Sequence, residues 1–278
     1  MDVIKPAPGF EDILPLEYQE LVADGPYGRS LGVKDLGTFK ELIEDHPLCA
    51  GCNLTLSFRL LLASLPKPED TLIVTTAGCF GVIHPQIALH ASIAPFGTQN
   101  AFASGLTRAM RIRFPEKQKD VITIGGDGSF ADIGMAPTTH SWFRGEKFAS
   151  FMLDNECYAN TGGQASGMTP EGVVLNMAPK GKSFDKIPFV EIAKLAGCAY
   201  VATASPTKPR QVESMVRRAI LVAREVGPTF VRLACVCATN YKLTPIEAHR
   251  KSKELVSQTD EYMTEAAREY LESLEGAA

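Results

Sequence analysis

No run of apolar residues in this chain approaches the ~18 needed to cross a bilayer, so nothing in it reads as a membrane span. Blocks of lysine and arginine are missing as well. With a formal charge of −4, the chain offers no electrostatic footprint for nucleic acid or for an anionic lipid surface. Residues 1–10 have neither a positive flank nor an apolar core, which leads us to expect a protein that is not exported and stays in the cytoplasm. Internal repeats and low-complexity segments are absent, which excludes a solenoid or a long disordered linker. Tryptophan occurs once, at Trp142, and is expected in the core. The 5 histidines, at 46, 84, 90, 140 and 249, show no ligand spacing and are expected on the surface or as satisfied core side chains.

What is present suits a large enclosed core. The chain has 278 residues, 45% of them hydrophobic, enough for one α/β domain with additional arms. Its 7 cysteines, at 49, 52, 79, 157, 198, 235 and 237, are odd in number, and in a reducing compartment they point to metal or redox work before disulfides. The apolar run 121–124 ends in Gly125-Gly126-Asp127-Gly128-Ser129-Phe130. That pattern predicts a buried strand, a tight turn and a helix N-terminus facing an anion, a cradle for phosphate. A second apolar run, 148–153, ends in Asp154-Asn155-Glu156-Cys157. Asp127 and Asn155 are therefore expected at the carboxyl ends of neighbouring parallel strands, where open α/β sheets bind ligands. One carboxylate, one amide oxygen, a backbone carbonyl and phosphate oxygens compose the hard-oxygen shell that magnesium takes.

The remainder of the chain frames these two strand ends. Residues 1–47 are rich in proline and glycine and read as an arm with one helix, 36–44, that wraps the body or a neighbouring subunit. Cys49-Ala50-Gly51-Cys52 precedes a helix over 54–65, and the β-branched strand 71–76 runs into Ala77-Gly78-Cys79. A helix over 96–113 has small residues (Ala101, Ala103, Ser104, Gly105, Ala109) suited to close packing on another helix or subunit, with Asn100 at its start as a cap, the favoured reading, or a ligand contact. Another helix is expected over 132–143, and the polar, glycine-rich loop 158–166 is suited to covering a ligand. Beyond Pro188 helices and strands alternate (helix 190–196, strand 199–202, helix 208–224, strand 229–235), predicting an α/β fold with a parallel sheet and helices on both faces. Cys237 lies just past the last of these strands. Residues 245–274 are charged and helical in pattern and read as a solvated arm. The expected division is an N-terminal arm over 1–47, a binding domain over 48–243 and a C-terminal helical arm over 244–278.

Cys49, Cys52, Cys79 and Cys237 thus lie at turns or strand ends, positions that can gather four thiolates around an iron–sulfur cluster or around zinc. Ligand count alone does not choose between them. The glycine–aspartate–glycine turn answered by Asn155 after a second strand resembles the thiamine diphosphate motif of thiamine-dependent enzymes. Beside that cofactor a redox-inert zinc has no evident task, whereas a cluster gives a cofactor-bound carbanion an electron sink.

From about residue 46 to 240 the sequence resembles the beta, thiamine-diphosphate-binding subunits of 2-oxoacid:ferredoxin oxidoreductases, of the pyruvate synthase kind. The resemblance rests on the Cys49–Cys52 pair, Gly78-Cys79, Gly125 to Gly128, Asp154-Asn155-Glu156, Tyr158 to Gln164, Thr169-Pro170, and a late cysteine after Gly227-Pro228-Thr229-Phe230. It implies a thiamine-diphosphate-binding fold in which Asp127, Asn155 and the carbonyl of Cys157 hold Mg2+, while Gly126, Gly128 and Ser129 cradle the diphosphate. It also implies that Asn160 faces the thiazolium and the substrate, and that Cys49, Cys52, Cys79 and Cys237 bind a 4Fe-4S cluster, with Cys79 next to the cofactor. The implied reaction is oxidative decarboxylation of a 2-oxoacid to acyl-coenzyme A and CO2, with electrons passing from thiamine diphosphate to the cluster. The implied partners are an alpha subunit bringing the glutamate for the aminopyrimidine, gamma- and delta-type subunits with ferredoxin-like clusters, ferredoxin or another acceptor, and coenzyme A. Two departures stand out: Asn53 replaces the glycine usual after the cysteine pair, and Cys235, inside the apolar strand, competes with Cys237. Phe80, Ile83 and His84 do not identify the acid. Two alternatives are a non-redox thiamine decarboxylase or carboligase, and a zinc-bearing assembly subunit without catalysis.

Overall fold

The computed structural model describes residues 46–117, 119–256 and 260–275. Apart from His46 and Pro47, the arm expected over 1–47 and its helix at 36–44 lie outside the described residues.

The apolar runs become strands: β1 (Thr71–Thr76), β2 (Ala91–Ala94), β3 (Asp120–Gly126), β4 (Ala149–Asp154), β5 (Tyr200–Ala204), β6 (Thr229–Ala234) and β7 (Asp260–Met263). Among the described residues they form one sheet in the order β2-β1-β3-β4-β6-β5-β7. Every pairing is parallel except that of β5 with β7. The helices are α1 (Asn53–Ala63), α2 (Cys79–Ile83), α3 (Gln99–Arg113), α4 (Met135–Phe143), α5 (Phe189–Leu195), α6 (Pro209–Glu225), α7 (Pro245–Glu254) and α8 (Glu265–Glu275).

Period-2 alternation distributes the strands' side chains to two cores. Ala149, Phe151 and Leu153 of β4 and Val231 and Leu233 of β6 face α1, α6 and α8. Met152 and Phe230 face the other way, against Trp142, Phe189 and Ala193 of α4 and α5. Val74 and Val121 pack with Ala103 of α3 on that same side. Fully burying each such large side chain contributes about 1.5–3 kcal/mol. In α6 the buried positions Val212, Met215, Val216, Ala219, Ile220 and Ala223 recur at helical spacing, which makes it the main cover of the first face. The sheet is thus parallel and covered by helices on both faces, with one antiparallel edge. None of the described helices is long and apolar enough to cross a membrane.

Two expectations are corrected, and one strand was not expected. Residues 245–274 are not helical throughout: α7 and α8 flank β7, which pairs along β5. Its sequence, Asp260-Glu261-Tyr262-Met263, carries no strand pattern, and it is held instead by backbone pairing and by Glu261, which accepts from Tyr200 Oη at 2.5 Å and Arg218 at 2.9 Å. The edge strand β2 was likewise invisible as a strand. Asn100 caps nothing. It is fully buried, donating to Ser141 Oγ (3.2 Å) and Ser150 Oγ (3.1 Å) and accepting from Thr123 Oγ1 (3.1 Å), a polar knot that joins α3 and α4 to the sheet.

Candidate functional site

The chain runs from β1 outward to β2 and then returns to β3 on the other side of β1. At such a switch of direction the loops leaving two adjacent parallel strands diverge and open a crevice. The crevice here is a cleft of about 400 Å³ at the carboxyl ends of β1, β3 and β4. Cys79, Gly126, Asp127, Gly128, Ser129, Asn155, Cys157 and Asn160 all line it, joined by Leu54, Phe80 and Phe96. The structure therefore brings together every residue that the sequence assigned to the cofactor and magnesium.

The glycines have local reasons. A Cβ on Gly128 would stand 2.4 Å from the ring of Tyr158, and one on Gly125 would stand 2.5 Å from Ser129 Oγ. Ser129 Oγ donates back to the Gly126 carbonyl at 2.7 Å, closing the turn. After Asp127 the chain makes one π turn, Gly128–Asp132, before α4 begins. Such turns interrupt regular helix pairing and recur at functional sites.

Electrostatics separates three neighbouring carboxylates. Asp127 is 2% exposed and accepts from the Ser166 hydroxyl. Burial, and next the charge of Asp154, push its carboxyl well above the usual range. Asp154 is buried too, but Lys186 (3.3 Å) and Arg232 (2.6 Å) outweigh the effect of burial and hold it low. Glu156, fully buried at φ +62, receives Lys186 Nζ at 2.7 Å and Tyr241 Oη at 3.0 Å. So Asp154 and Glu156 have cations, and Asp127 has a hydroxyl. A divalent cation would supply the missing charge.

The four cysteines assigned to a cluster arrive from three loops. Cys49 and Cys52 sit in a tight turn ahead of α1, with Cys52 N donating to Cys49 O at 3.1 Å. Gly51 between them adopts φ +71 and lies against Pro245 of α7, 2.4 Å from where a Cβ would stand. Cys79 opens α2 directly after Gly78 at φ +108, and Cys237 follows β6. Burial, then the neighbouring thiols of Cys52, Cys237 and Cys49, push the Cys79 thiol up to about 12. Cys237 goes the other way, to about 6, chiefly through a hydrogen bond from the Cys157 thiol. No three His, Cys, Asp or Glu side chains among the described residues converge as ligands of a single ion. Cys235 is fully buried in the core with the β6 side chains, as is Cys198 near α5. Asn53, the departure beside the cysteine pair, starts α1 and reaches Ser252 Oγ (3.4 Å) and His249 Nδ1 (3.2 Å), fastening α7 to α1.

Sequence reasoning missed Ser166, Lys186, Arg232 and Tyr241. A signal existed for one of them: Arg232 interrupts the otherwise apolar strand Thr229–Ala234, and a buried strand arginine demands a buried carboxylate.

Residues 75–233 match the family described as thiamine pyrophosphate enzyme, C-terminal TPP binding domain. The chain is 35% identical over 217 residues to pyruvate synthase subunit PorB of Methanothermobacter marburgensis, covering 73% of this chain and 72% of that one. It is 31% identical over 211 residues to ketoisovalerate oxidoreductase subunit VorB of Pyrococcus horikoshii, covering 71% of this chain and 66% of that one. The chain belongs to the thiamine-dependent 2-oxoacid oxidoreductase subunits. The fold of this oxidoreductase subunit is also that of a solved 2-oxoglutarate:ferredoxin oxidoreductase from Magnetococcus marinus, with 2-oxoglutarate, coenzyme A and succinyl-CoA bound. That likeness has a TM-score of 0.62 at 21% identity, over 72% of this chain and 68% of that chain. In the oxidoreductase subunit the matched thiamine segment contains Cys79, Asp127, Asn155 and Asn160, and leaves Cys49, Cys52 and Cys237 on its flanks.

Proposed function

We propose that this chain is the cofactor-carrying subunit of a cytoplasmic complex that oxidatively decarboxylates a 2-oxoacid to acyl-coenzyme A and CO2 and passes the electrons to ferredoxin or a similar acceptor. Asp127, the amide oxygen of Asn155 and the carbonyl of Cys157 hold Mg2+. Gly126, Gly128 and Ser129 receive the diphosphate, and Asn160 faces the reacting centre. Cys49, Cys52, Cys79 and Cys237 carry the 4Fe-4S cluster, and Cys237 is preferred to Cys235 because the latter is enclosed in the core. When bound, thiamine diphosphate supplies the electron sink for C–C cleavage and the cluster accepts electrons singly.

The protein's own part is to bind, orient and keep the site dry. Leu54, Phe80 and Phe96 exclude water from the cleft wall, and the loop from Tyr158 to Thr161 forms part of its rim. No glutamate is found among the described residues lining the cleft, which supports a partner subunit as the source of the aminopyrimidine's carboxylate. Partners of the gamma and delta kind would carry the electrons onward through their own clusters. All 7 cysteines are free thiols, in keeping with a reducing compartment. Four thiolates suit zinc or a cluster alike, but zinc is redox-inert, whereas a four-iron cluster beside thiamine diphosphate can take the electrons, and this favours the cluster.

One observation carries the reading: Asp127 is a buried carboxylate without a cation, at a strand switch, in a cleft shared with Asn155 and Cys79. Asp127→Asn removes the charge and keeps the shape. Calorimetric titration of the full chain with thiamine diphosphate and Mg2+ is expected to show affinity lost by at least about 100-fold, a loss of about 2.7 kcal/mol. The ligand-free variant should melt no lower than the parent, because an uncompensated buried charge has been removed. Unchanged Mg2+-dependent binding would sink the assignment.

A further inference from the structure

Asn240 lies three residues past Cys237 and is 5% exposed. Its amide nitrogen donates to Cys237 Sγ at 3.4 Å. Its amide oxygen accepts from Asn176 Nδ2 at 3.1 Å and occupies the space beside Gly163, where a Cβ would come within 2.0 Å of it. Gly163 in turn belongs to the loop that rims the cleft: its N–H donates to the Tyr158 carbonyl at 2.9 Å, and its carbonyl accepts from Met177 N at 3.0 Å. One residue earlier, the Thr239 hydroxyl donates to Cys49 Sγ at 3.6 Å. Consecutive residues therefore aim donors at two of the four sulfurs, and the second of them also touches the cofactor-side loop.

A hydrogen bond to a ligating sulfur stabilises negative charge there, and a reduced cluster carries one charge more than an oxidised one. The donor accordingly favours the reduced state and raises the potential. We infer that Asn240 is a positioning residue that raises the electron affinity of the sulfur-bound centre and couples it, through Gly163 and Asn176, to the loop carrying Tyr158 and Asn160. Two things require glycine at Gly163: its backbone lies at φ +90, and the Asn240 amide oxygen fills the place of a side chain. This inference rests on the cluster assignment proposed above.

The test uses the full chain, loaded with iron and sulfide without oxygen, its iron content measured and its midpoint potential read by EPR-monitored redox titration. Asn240→Leu keeps the volume and removes the N–H. Its potential is expected to fall by the equivalent of a roughly tenfold change in the one-electron equilibrium, about 59 mV. Gly163→Ala keeps every sulfur and Asn240 in the chain while its methyl pushes the Asn240 amide aside, at the cost of backbone strain at φ +90, and should lower the potential in the same direction by a smaller amount. Parent-like potentials in both variants, with iron content intact, overturn the inference and leave the cluster assignment standing. A parent chain that takes up no cluster overturns the assignment itself. Should Asn240→Leu lose its iron, Gly163→Ala decides; loss in both marks a purely structural contact and ends the inference.

Discussion

Glu156 holds a left-handed backbone conformation that costs a side-chain-bearing residue about 1–2 kcal/mol, and it is fully buried as well. It persists because Lys186 and Tyr241 close on its carboxylate, which fixes how Asn155 and Cys157 on either side present their oxygens. Glu156→Gln leaves Lys186, itself partly exposed, with Asp154 alone as counter-charge, and urea unfolding is expected to show about 1–3 kcal/mol lost. A loss below about 1 kcal/mol would mean that the ion pair does not hold the turn. Gly128→Ala acts from the opposite wall, driving a methyl into the Tyr158 ring. Thiamine diphosphate binding should weaken at least tenfold, with an overpacking cost of about 1–3 kcal/mol in thermal unfolding. Gly126, Asp127 and Asn155 were legible from sequence because their signal is local: an apolar run, then a turn residue. Glu156 was not, since its meaning depends on Lys186, Arg232 and Tyr241, which only folding brings near.

Strands β1, β3, β4 and β6 were readable for the same reason that they are stable: each is an apolar run buried on both faces. β2 and β7 are edges, paired on one side, and carry too little apolar pattern to be recognised. The amino end of the sheet is fastened by two carboxylates. Asp70, entering β1, takes Lys119 and Lys117 from the entry to β3, while Glu146, entering β4, takes Ser104 and Arg108 of α3 together with Arg144. Burial tends to raise both carboxyls, but these partners outweigh it and hold both below their usual values. A carboxyl held low adds stability above its unfolded value and loses it as pH falls through the folded one. Urea midpoints should therefore drop below about pH 4, and an Asp70→Asn, Glu146→Gln double variant should show a flatter profile. An equally steep profile in that variant would refer acid sensitivity to other groups.

At the scale of the molecule, the cleft as the described residues form it stands open to its surroundings. Ile133 lines it yet is 63% exposed, and Phe102, Ile112 and Phe143 are large apolar side chains left on the surface of the same helical layer. The purified chain alone is expected to bind thiamine diphosphate and iron and yet release no CO2 from any 2-oxoacid. Release should begin when a partner bringing a glutamate to the cleft is added, and turnover by the chain alone would refute this. Composition and the two strand-end motifs were enough to read the α/β class, the parallel sheet and the layering. The contribution of residues 260–275 to the sheet and to its α6 cover was hidden behind a charged surface pattern.

The placement of β6 between β4 and β5 also sets an order of events during synthesis. A nascent chain that has emerged as far as residue 204 has β5 in hand but no neighbour for it, because β6 is made later and must slot in beside β4 first. Cys237 emerges directly behind β6, while the antiparallel edge strand β7 is still to be made. A fragment that stops before residue 229 therefore leaves β4 with an open edge and β5 without its parallel neighbour, the exposed strand edges from which chains pair wrongly.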